Sequence, residues 1–480
     1  MRRLFCVFGA SVTLFASAMP LGAQSIPIRT VPVASGDQFL ILPSSRMSMG
    51  GVRLAVDDSI ADPWTNPAKG VFVSESALFG SPTLYSIQRD GGGGSTFPLA
   101  ALFAGGGWFG GGTLALQQID NDGGRGGAVP LSETHGRNLY AAGTVGRRLG
   151  DSWSVGVAGS ISKLGAMDGV DLLYTGSDRI DQSGTTSDLR LGLFKDGAQD
   201  RLSVLLLHSR VSMTHDVTYT DWLWDEILMR SERQTRVEEN QDQTRTWGTH
   251  VAWDRPLTAP GWKIGASTTI NYKDHPKIPN YSIQNIPRDP GTTWAYEAGV
   301  GVAKQTDVTT FALDVALQPI WSETWQEANA EDVVDSGQRL RIGDRSIENE
   351  FFFTNVVVRS GVSYRLDWAS LQAGVEIRSY AYELKQVDFV ESTFRQQDES
   401  WMEWSPTFGA LLTFDGIDVH YGARITTGTG QPGTTPEWFV GPGDQLLGDG
   451  TDFILAPEGP LTLVDARVVT HQVWVRVPIR

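Results

Sequence analysis

Apolar and polar residues alternate with a period of two along most of the chain from residue 71 onward, and the 3.6-residue period of a helix is nearly absent. The clearest stretch is 356–377, where Val358 belongs to an apolar face while Arg359 and Glu376 belong to a charged face. An unbroken apolar face backed by charges predicts two antiparallel strands joined by a tight turn. Such a pair fits either a soluble sandwich, with the charges in bulk solvent, or a membrane barrel, with the charges in the lumen.

The connections between the predicted strands alternate in length. Short connections fall at 148–152, 195–200, 255–261, 304–307, 368–370 and 415–416, and long ones at 119–136, 165–186, 211–243, 274–291, 323–349, 386–400 and 428–465. Short turns at one end and long loops at the other are typical of outer-membrane barrels, whereas a sandwich or a propeller has no reason to keep this alternation. We therefore predict an all-β fold, an antiparallel transmembrane β-barrel over residues 71–480. It has about 14 strands, or up to about 16 when two short or interrupted segments near 71–85 and 97–104 are counted.

Tryptophan residues lie at or near many of the predicted strand ends. They are Trp108, Trp153, Trp262, Trp294, Trp321, Trp368 and Trp401. An amphipathic indole ring is most stable at the headgroup level of a membrane, so we expect these residues to form aromatic girdles. The alternative is that they are core aromatics of a soluble β protein.

The N-terminal residues predict export. Arg2 and Arg3 precede an apolar run from Leu4 to Met19, and small residues follow at 21–23. This is the three-part form of a secretory signal peptide, so we expect residues 1–23 to be cleaved and the protein to reach the outer membrane of a Gram-negative-type bacterium. A membrane-anchoring helix is the alternative, but the run is short of the roughly 20 apolar residues that span a bilayer.

Composition excludes several classes of function. The formal net charge of −16 argues against nucleic-acid binding, which needs a cationic surface. The single cysteine, Cys6, lies in the segment to be removed, so the mature chain is not a disulfide scaffold, a zinc-thiolate protein or a cysteine hydrolase. Beyond residue 23 no stretch approaches about 18 consecutive apolar residues, which excludes a helical membrane protein.

No constellation of residues predicts an enzyme. His208 and Ser209 are neighbours on opposite faces of a strand, which is not the arrangement of a hydrolase site. The run 120–123, Asp-Asn-Asp-Gly, resembles the start of a calcium loop, but Gly124 stands where a third ligand belongs. We therefore predict no catalytic residues, no cofactor and no metal site.

Residues 24–70 do not share the strand alternation, and they contain the one specific motif of the chain. It runs from 46 to 68 and combines a Gly-Gly pair, an Asp-Asp turn and an Asn-Pro-Ala tripeptide. Paired glycines permit a tight turn, Asp57 or Asp58 can cap a short helical turn, and Asn66 with Pro67 makes an exit turn. A compact, self-capped segment of this kind suits a hatch that lies inside the barrel.

This motif resembles the N-terminal hatch of the FadL-like outer-membrane family, which transports long-chain fatty acids and other hydrophobic compounds. The matching positions are Ser48, Gly50, Gly51, Ala55, Asp57, Asp58, Asn66, Pro67 and Ala68. Where the family usually has glycine after Asn-Pro-Ala, this chain has Lys69. The resemblance implies a monomeric barrel plugged near its periplasmic end, which binds hydrophobic compounds in its lumen. Other relatives act in protein secretion, so the resemblance leaves two classes of function open.

The polar face of the strands predicts a lumen of mixed charge. Its members are Arg190, Lys263, Glu297, Arg359, Arg365, Glu376, Arg378, His420 and Arg424. Apolar residues on the same inward parity are few, namely Tyr140, Phe194, Leu205, Leu207, Tyr380 and Trp474. A lumen of this kind suits a hatch held by salt bridges and argues against a wholly apolar conduit.

The function that fits these patterns best is a channel or transporter that binds or passes hydrophobic small molecules by passive diffusion. The alternatives are a barrel that serves as a scaffold or shuttle in protein secretion, and a porin for polar solutes. The expected partners are outer-membrane lipid and lipopolysaccharide, a hydrophobic small-molecule ligand or a secreted protein, and no nucleic acid.

Overall fold

The computed structural model describes residues 38–88, 92–121, 134–167, 177–225, 230–275, 278–279, 287–288, 290–328, 331–333, 337, 339–390, 392–432 and 463–479. The predicted signal peptide, and residues 24–37 of the predicted hatch, lie outside this part of the chain. Among the described residues, no helix is long and apolar enough to cross a membrane.

Sixteen antiparallel strands form one closed barrel. They are β1 (two segments, Ala77–Gly80 and Thr83–Ile87), β2 (Gly93–Gly105), β3 (Trp108–Asn121), β4 (Thr134–Leu149), β5 (Trp153–Leu164), β6 (Arg179–Asp196), β7 (Arg201–Asp225), β8 (Arg230–Pro256), β9 (Trp262–His275), β10 (Gly291–Gln305), β11 (Thr309–Glu327), β12 (Arg345–Arg365), β13 (Ala369–Asp388), β14 (Thr393–Phe414), β15 (Ile417–Pro432) and β16 (Leu463–Pro478). Two-residue strand pairs also link 278–279 to 287–288 and 332–333 to 339–340.

The first and last strands close the barrel. Ala77 of β1 lies opposite Leu102 of β2 on one side and Pro478 of β16 on the other. Because every pairing is antiparallel and the number of strands is even, β1 begins and β16 ends at the same end of the barrel. The predicted all-β barrel is confirmed, with the larger of the two predicted strand numbers. The predicted interruption of the first strand falls at Ser81 and Pro82.

The connections alternate in length as predicted, but two of the predicted long loops contain paired strand. Residues 211–225 and 230–243 belong to strands, because β7 and β8 stay paired from Val211 and Thr244 out to Asp225 and Arg230. In the same way, β13 and β14 stay paired up to 388 and 393, inside a predicted loop. Both outer parts carry polar residues on both faces, so the alternation that identifies a half-buried strand is lost there while the backbone pairing continues.

Outward aromatic residues form a row near the long-loop end. Trp247, Tyr272, Trp294, Trp321 and Phe352 lie directly opposite one another on five successive strands. The ring centroids of Tyr272 and Trp294 are 4.8 Å apart, and those of Trp321 and Phe352 are 5.0 Å apart. This aromatic row is typical of a headgroup-level girdle.

The outward apolar band below this row has the height of a membrane core. On β11, the exposed rings of Phe311 and Trp321 mark its lower and upper edges. Ten residues at about 3.4 Å each cover about 34 Å along the strand. A strand tilt of about 40° reduces this to a height of roughly 26 Å, close to the apolar band of an outer-membrane barrel.

Six of the seven tryptophans predicted at the girdles lie near the ends of the outward band, and the seventh does not. Trp108 and Trp153 open their strands on the outer surface, and Trp368, which is 61% exposed, lies in a short turn. Trp401 is only 7% exposed and belongs to the inward face of β14, so its assignment to a girdle is wrong. Its parity along the strand, rather than its distance from the strand end, decides its direction.

Residues 38–76 lie inside the barrel, against inward-facing side chains, and are called the luminal segment. The segment contains a 3₁₀ turn at Met47–Met49, a short α-helix at Asp62–Thr65 and a 3₁₀ helix at Pro67–Phe72. Its first turn packs against β12, β13, β14 and β15, and its last helix packs against β4, β5 and β6. The segment therefore bridges two opposite walls of the barrel.

Candidate functional site

Asp58 organises the middle of the luminal segment. Its Oδ1 accepts hydrogen bonds from the backbone N–H groups of Ile60 (3.0 Å) and Ala61 (3.1 Å), and its Oδ2 accepts one from the N–H of Ser45 (2.8 Å). Arg46 lies 3.7 Å from the Asp58 carboxylate. Burial opposes ionisation of Asp58, but Arg46 and the backbone donors outweigh it and hold the pKa of this carboxyl below its usual value.

The Asn-Pro-Ala tripeptide anchors the segment to the wall formed by β5, β6 and β7. Asn66 Oδ1 accepts a hydrogen bond from the N–H of Ala68 (3.0 Å), and Asn66 Nδ2 donates to Ser203 Oγ (2.8 Å). Ser154 Oγ donates to the carbonyl of Ala68 at 2.9 Å. A Cβ at Gly192 would lie 1.9 Å from Asn66 Oδ1, so only glycine lets the barrel wall approach this closely.

The Gly-Gly pair brings the segment against the opposite wall. Gly50 has a φ of 68°, and a Cβ there would lie 2.5 Å from the carbonyl oxygen of Ser360. Its N–H donates to Thr407 Oγ1 at 2.9 Å. Two residues earlier, Ser48 Oγ lies 3.3 Å from Nε2 of His420 on β15. The left-handed turn and the absence of a side chain at position 50 therefore place the segment in direct contact with the wall.

An ionic belt follows the inward face of β10–β13, and the segment joins it through Arg53, which contacts β10 and β11. Its members are Arg53, Glu297, Asp314, Arg359, Glu376 and Arg378. Arg53 pairs with Glu297 at 2.6 Å, and the backbone N–H of Arg53 donates to Asp314 Oδ2 at 2.6 Å. Arg359 and Arg378 both pair with Glu376, at 2.5 and 3.2 Å. The belt contains three cations and three carboxylates, so its charges balance.

A second group of ionic contacts holds the acidic turn. Asp57 Oδ2 lies 2.7 Å from Arg201 and 3.2 Å from Lys263. Burial opposes ionisation of Asp57, but Lys263, Lys69 and Arg201 outweigh it and hold the pKa of this carboxyl below its usual value. Arg190 donates to the carbonyl of Trp64 at 3.1 Å.

The structure brings most of the residues singled out in the sequence into one region. Arg190, Lys263 and Glu297 contact the segment directly. Arg365 does not, since it is exposed at the rim and donates to the carbonyl of Asp307. Arg424 lies on the inward parity of β15, opposite Thr407 and Thr470. The matching hatch positions Ala55 and Pro67 also pack in this region, Ala55 in an apolar cluster with Ala303 and Ala312 and Pro67 against Gly156.

Sequence reasoning missed three members of these contacts. Arg46 and Arg53 lie within the motif but are not among the positions that match the family. Only the folded segment brings them to carboxylates, Arg46 to Asp62 and Arg53 to Glu297. Asp314 lies on the inward parity of β11, between the buried residues Ala312 and Ala316. The same alternation that identified Glu297 could have identified Asp314.

An aromatic patch covers the inward face directly on the long-loop side of the ionic belt. Its members are Ala295, Ile320, Phe351, Phe353, Tyr380, Tyr382, Leu384 and Trp401. Tyr380 and Trp401 stack with their ring centroids 4.9 Å apart, and Phe353 and Tyr382 lie 5.5 Å apart. On β13 the inward face changes from charged to aromatic between Arg378 and Tyr380, so belt and patch meet at this level.

Buried hydrogen-bond donors without partners lie where the belt and the patch meet. Among the described residues, nothing accepts a hydrogen bond from Asn355 Nδ2, Arg378 Nη1 or Trp401 Nε1. Asn355 is fully buried, and the Arg378 guanidinium lies 6.0 Å from the ring centroid of Tyr380. One acceptor, Gln318 Oε1, also has no partner there. Because a buried polar group without a partner costs free energy, these atoms mark a place where a polar ligand group would be stabilised.

The opposite wall is also apolar, and the first part of the luminal segment covers it. Ile41 packs with Tyr140, Leu164 and Met213. The Tyr140 hydroxyl donates to Gln117 Oε1 at 2.7 Å. The other apolar residues predicted on the inward parity, Phe194, Leu205, Leu207 and Trp474, are likewise buried. Among the described residues, no group of three or more His, Cys, Asp or Glu side chains is arranged to hold a metal ion.

No protein-family model and no curated protein matches this chain. Solved structures are similar to it, and they include the toluene transporter TodX of Pseudomonas putida, at 9% identity over 90% of this chain and 96% of that one, with a TM-score of 0.38. A FadL homologue of Pseudomonas aeruginosa is similar at 10% identity over 92% and 99% of the two chains, with a TM-score of 0.48. CdiB of Acinetobacter baumannii is similar at 9% identity over 84% and 60%, with a TM-score of 0.38. FadL-type transporters are thus among the similar structures, and the likeness is one of fold.

Proposed function

We propose that this protein is an outer-membrane barrel that admits hydrophobic small molecules bearing a hydrogen-bond-accepting group, by passive diffusion, with the luminal segment as its hatch. The observation that carries the proposal is the aromatic patch with unpartnered donors at its lower edge. Aromatic side chains with a few placed polar groups are the usual lining of a small-molecule site. A carboxylate or carbonyl on an otherwise apolar compound matches this arrangement.

The donors at the junction favour one orientation of the ligand. Its apolar part would lie along Phe353 and Tyr382, and its acceptor would point down toward Asn355 and Arg378. Burial of apolar ligand surface supplies affinity at about 25 cal/mol per Å². The acceptor would satisfy donors that are otherwise left without a partner, which adds selectivity over a pure hydrocarbon.

The ionic belt supports a gating role for the luminal segment. It lies between the aromatic patch and the short-turn end. Arg53 joins the segment to β10 and β11, and the pairs of Glu376 with Arg359 and Arg378 continue the belt across β12 and β13. A compound that leaves the patch toward the periplasm must pass this level. Movement of residues 50–57 away from the wall would open that path, since those residues make the contacts.

A conservative substitution in the patch tests the ligand site. Trp401→Phe keeps an aromatic ring and removes Nε1, so binding of a fluorescent fatty acid should weaken by about fivefold, the effect of one hydrogen bond. Trp404→Phe is the matched control, because Trp404 lies on the same strand with its ring on the lipid side. Equal affinities of both variants and the unaltered protein would contradict the proposed site.

Removal of the hatch tests the gate. Deletion of residues 24–68 should raise the conductance for small ions and abolish retention of hydrophobic compounds, because the ionic belt loses its partner Arg53. Heat-modifiable migration on a gel shows whether the deleted barrel still assembles. An assembled barrel with unchanged conductance and unchanged uptake would rule out the plugged-transporter function.

A scaffold for secreted proteins is the second candidate, and one observation favours it. Beyond the His208–Trp247 pair, β7 continues for 17 residues to Asp225, and β8 begins 17 residues before Trp247, at Arg230. At about 3.4 Å per residue, this outer part of each strand is about 58 Å long. A hairpin of that length reaches well outside the membrane and offers a polar surface to another protein. Truncation of residues 219–236 should leave uptake of hydrophobic compounds unchanged if transport is the function, and should abolish secretion of a partner if scaffolding is.

A further inference from the structure

Two arginines lie side by side on the outer surface, one residue pair beyond the outward aromatic row. Arg210 of β7 and Arg245 of β8 are directly opposite in the strand register, and both are exposed. We propose that this pair binds the phosphate of an outer-leaflet lipid headgroup, with the acyl chains of that lipid in the groove beneath. This proposal rests on the membrane orientation of the barrel and not on transport.

The arginine pair has no partner in the part of the chain that the structure describes. Neither guanidinium makes an ion pair or a hydrogen bond with the residues that the structure describes. Like charges directly opposite one another on an antiparallel pair destabilise it. The groups that face them from the neighbouring strands are Ser187, opposite Arg210, and Asp274, opposite Arg245. Two cations and one carboxylate leave a net positive charge, which an external anion would offset.

The side chains immediately below match the headgroup boundary of a lipid. His208 and Trp247 are the next outward pair toward the membrane, and their rings stack with centroids 3.9 Å apart. Trp247 is 59% exposed, so its indole faces the lipid rather than the protein. An amphipathic ring at this level marks the boundary between headgroups and acyl chains. The arginines therefore lie at the height of lipid phosphates.

An apolar groove continues the site into the bilayer. It has a volume of about 360 Å³ and its lipid-facing lining includes Leu189, Leu191, Leu206, Ile270, Tyr272 and Trp294. Its upper edge is formed by His208 and Trp247. From the outside toward the membrane centre, the site presents two cations, then two aromatic rings, then an apolar groove. This order matches a lipid that has an anionic headgroup above its acyl chains. Because the long-loop end faces outward in such barrels, the lipid belongs to the outer leaflet.

Binding of lipid A to the purified, delipidated protein in detergent tests the proposal. Native mass spectrometry in the presence of EDTA gives the dissociation constant, and EDTA removes any bridge through divalent cations and nearby carboxylates. Arg210→Gln and Arg245→Gln should each raise this constant about fivefold, and the double variant should raise it about 25-fold, the effect of one and two cations near an anionic lipid. The substituted side chains are exposed, so the barrel should still assemble.

Arg147→Gln is the matched control. Arg147 is exposed and lies 5.2 Å from the ring of Trp108, at the opposite membrane boundary. This variant makes the same charge change and should leave lipid A affinity unchanged. Equal losses in the control and the double variant would show a general charge effect and overturn the proposal. An unchanged affinity of the double variant would overturn it as well.

Inorganic phosphate separates a lipid site from a simple phosphate site. In excess it should displace lipid A only weakly, because it gains nothing from the groove. Complete displacement at an affinity equal to that of lipid A would overturn the assignment to a lipid. Leu206→Ser is a second test of the groove, because Leu206 is exposed there. This variant should bind lipid A more weakly and bind inorganic phosphate as the unaltered protein does.

Discussion

The lower and upper halves of the lumen differ sharply although the same strands form both. On β13, Glu376 and Arg378 face inward at the lower level, while Tyr380 and Tyr382 face inward two and four residues later. The lower level makes directional contacts with the luminal segment through Glu297 and Asp314, within a belt whose charges balance. The upper level is a buried aromatic cluster with a few unpartnered donors at its edge. The difference teaches that one inward face can hold a segment in place at one height and accept an apolar compound at another.

Each level also depends on different physics. Ionic contacts between buried groups stabilise only while every member has its partner, because an uncompensated buried charge costs several kcal/mol. Aromatic surface tolerates many apolar partners, because dispersion and apolar burial do not depend on direction. Substitutions in the lower level should therefore release the segment, and substitutions in the upper level should change ligand affinity. Four experiments address this separation.

Removal of the shared carboxylate should have the largest effect. Glu376→Gln leaves Arg359 and Arg378 without their common anion, and breaking a buried pair costs about 3–5 kcal/mol. The luminal segment should loosen, so single-channel conductance should rise. Glu350→Gln on β12 is the control, because Glu350 is exposed on the outer face. If the channel of the Glu376→Gln variant stays closed, the lower level does not hold the segment as proposed.

The Gly-Gly pair provides a steric test. Gly50→Ala places a Cβ 2.5 Å from one backbone carbonyl oxygen and 2.6 Å from another, in addition to the strain of a positive φ. Gly51→Ala carries a similar φ of 72°, but its Cβ has no neighbour closer than 3.7 Å. Gly51→Ala should therefore cost about 1–2 kcal/mol, and Gly50→Ala clearly more. Conductance and protease access to the segment measure the two effects. Equal effects of Gly50→Ala and Gly51→Ala would contradict the close approach of Gly50 to the wall.

Substitution in the aromatic patch should affect the ligand and not the segment. Phe353→Ala removes a fully buried ring, and fatty-acid affinity should fall about tenfold while conductance stays closed. Phe352→Ala removes the neighbouring ring, which faces the lipid. It should leave both measurements unchanged. An open channel in the Phe353 variant would show that the two levels are coupled.

Acidification should have the smallest effect, and it should act on the lower level. Asp57 and Asp58 have folded-state pKa values below their usual value, so they stabilise the segment above about pH 4, the unfolded value. This stabilisation is lost as pH falls through the lowered values. Conductance should therefore rise only below about pH 4. Binding of an uncharged aromatic probe should change less, and Asp58→Asn should flatten the pH profile.

The alternation of residues along the strands predicted most of the barrel and most of the charged lumen. Parity alone assigned Glu297, Arg359 and Glu376 to the inside, because successive side chains in a strand point to opposite faces. The same rule assigned Tyr380 to the inside. The rule fails where both faces meet water, so the outer part of the β7–β8 hairpin was not recognised. For Trp401 the position near a strand end predicts a girdle, whereas the parity along β14 places the side chain inside.

The sequence by itself determined the barrel, the position of its turns and the presence of one self-capped segment ahead of it. These features are local, since they depend on a two-residue period, on turn residues and on the Asp58 cap. Only the tertiary structure decided what the segment touches. The pairing of Arg53 with Glu297 joins residues 244 positions apart, and the contact of Ser48 with His420 joins residues 372 apart. Barrel closure brings such residues together, and no local pattern records which of them meet.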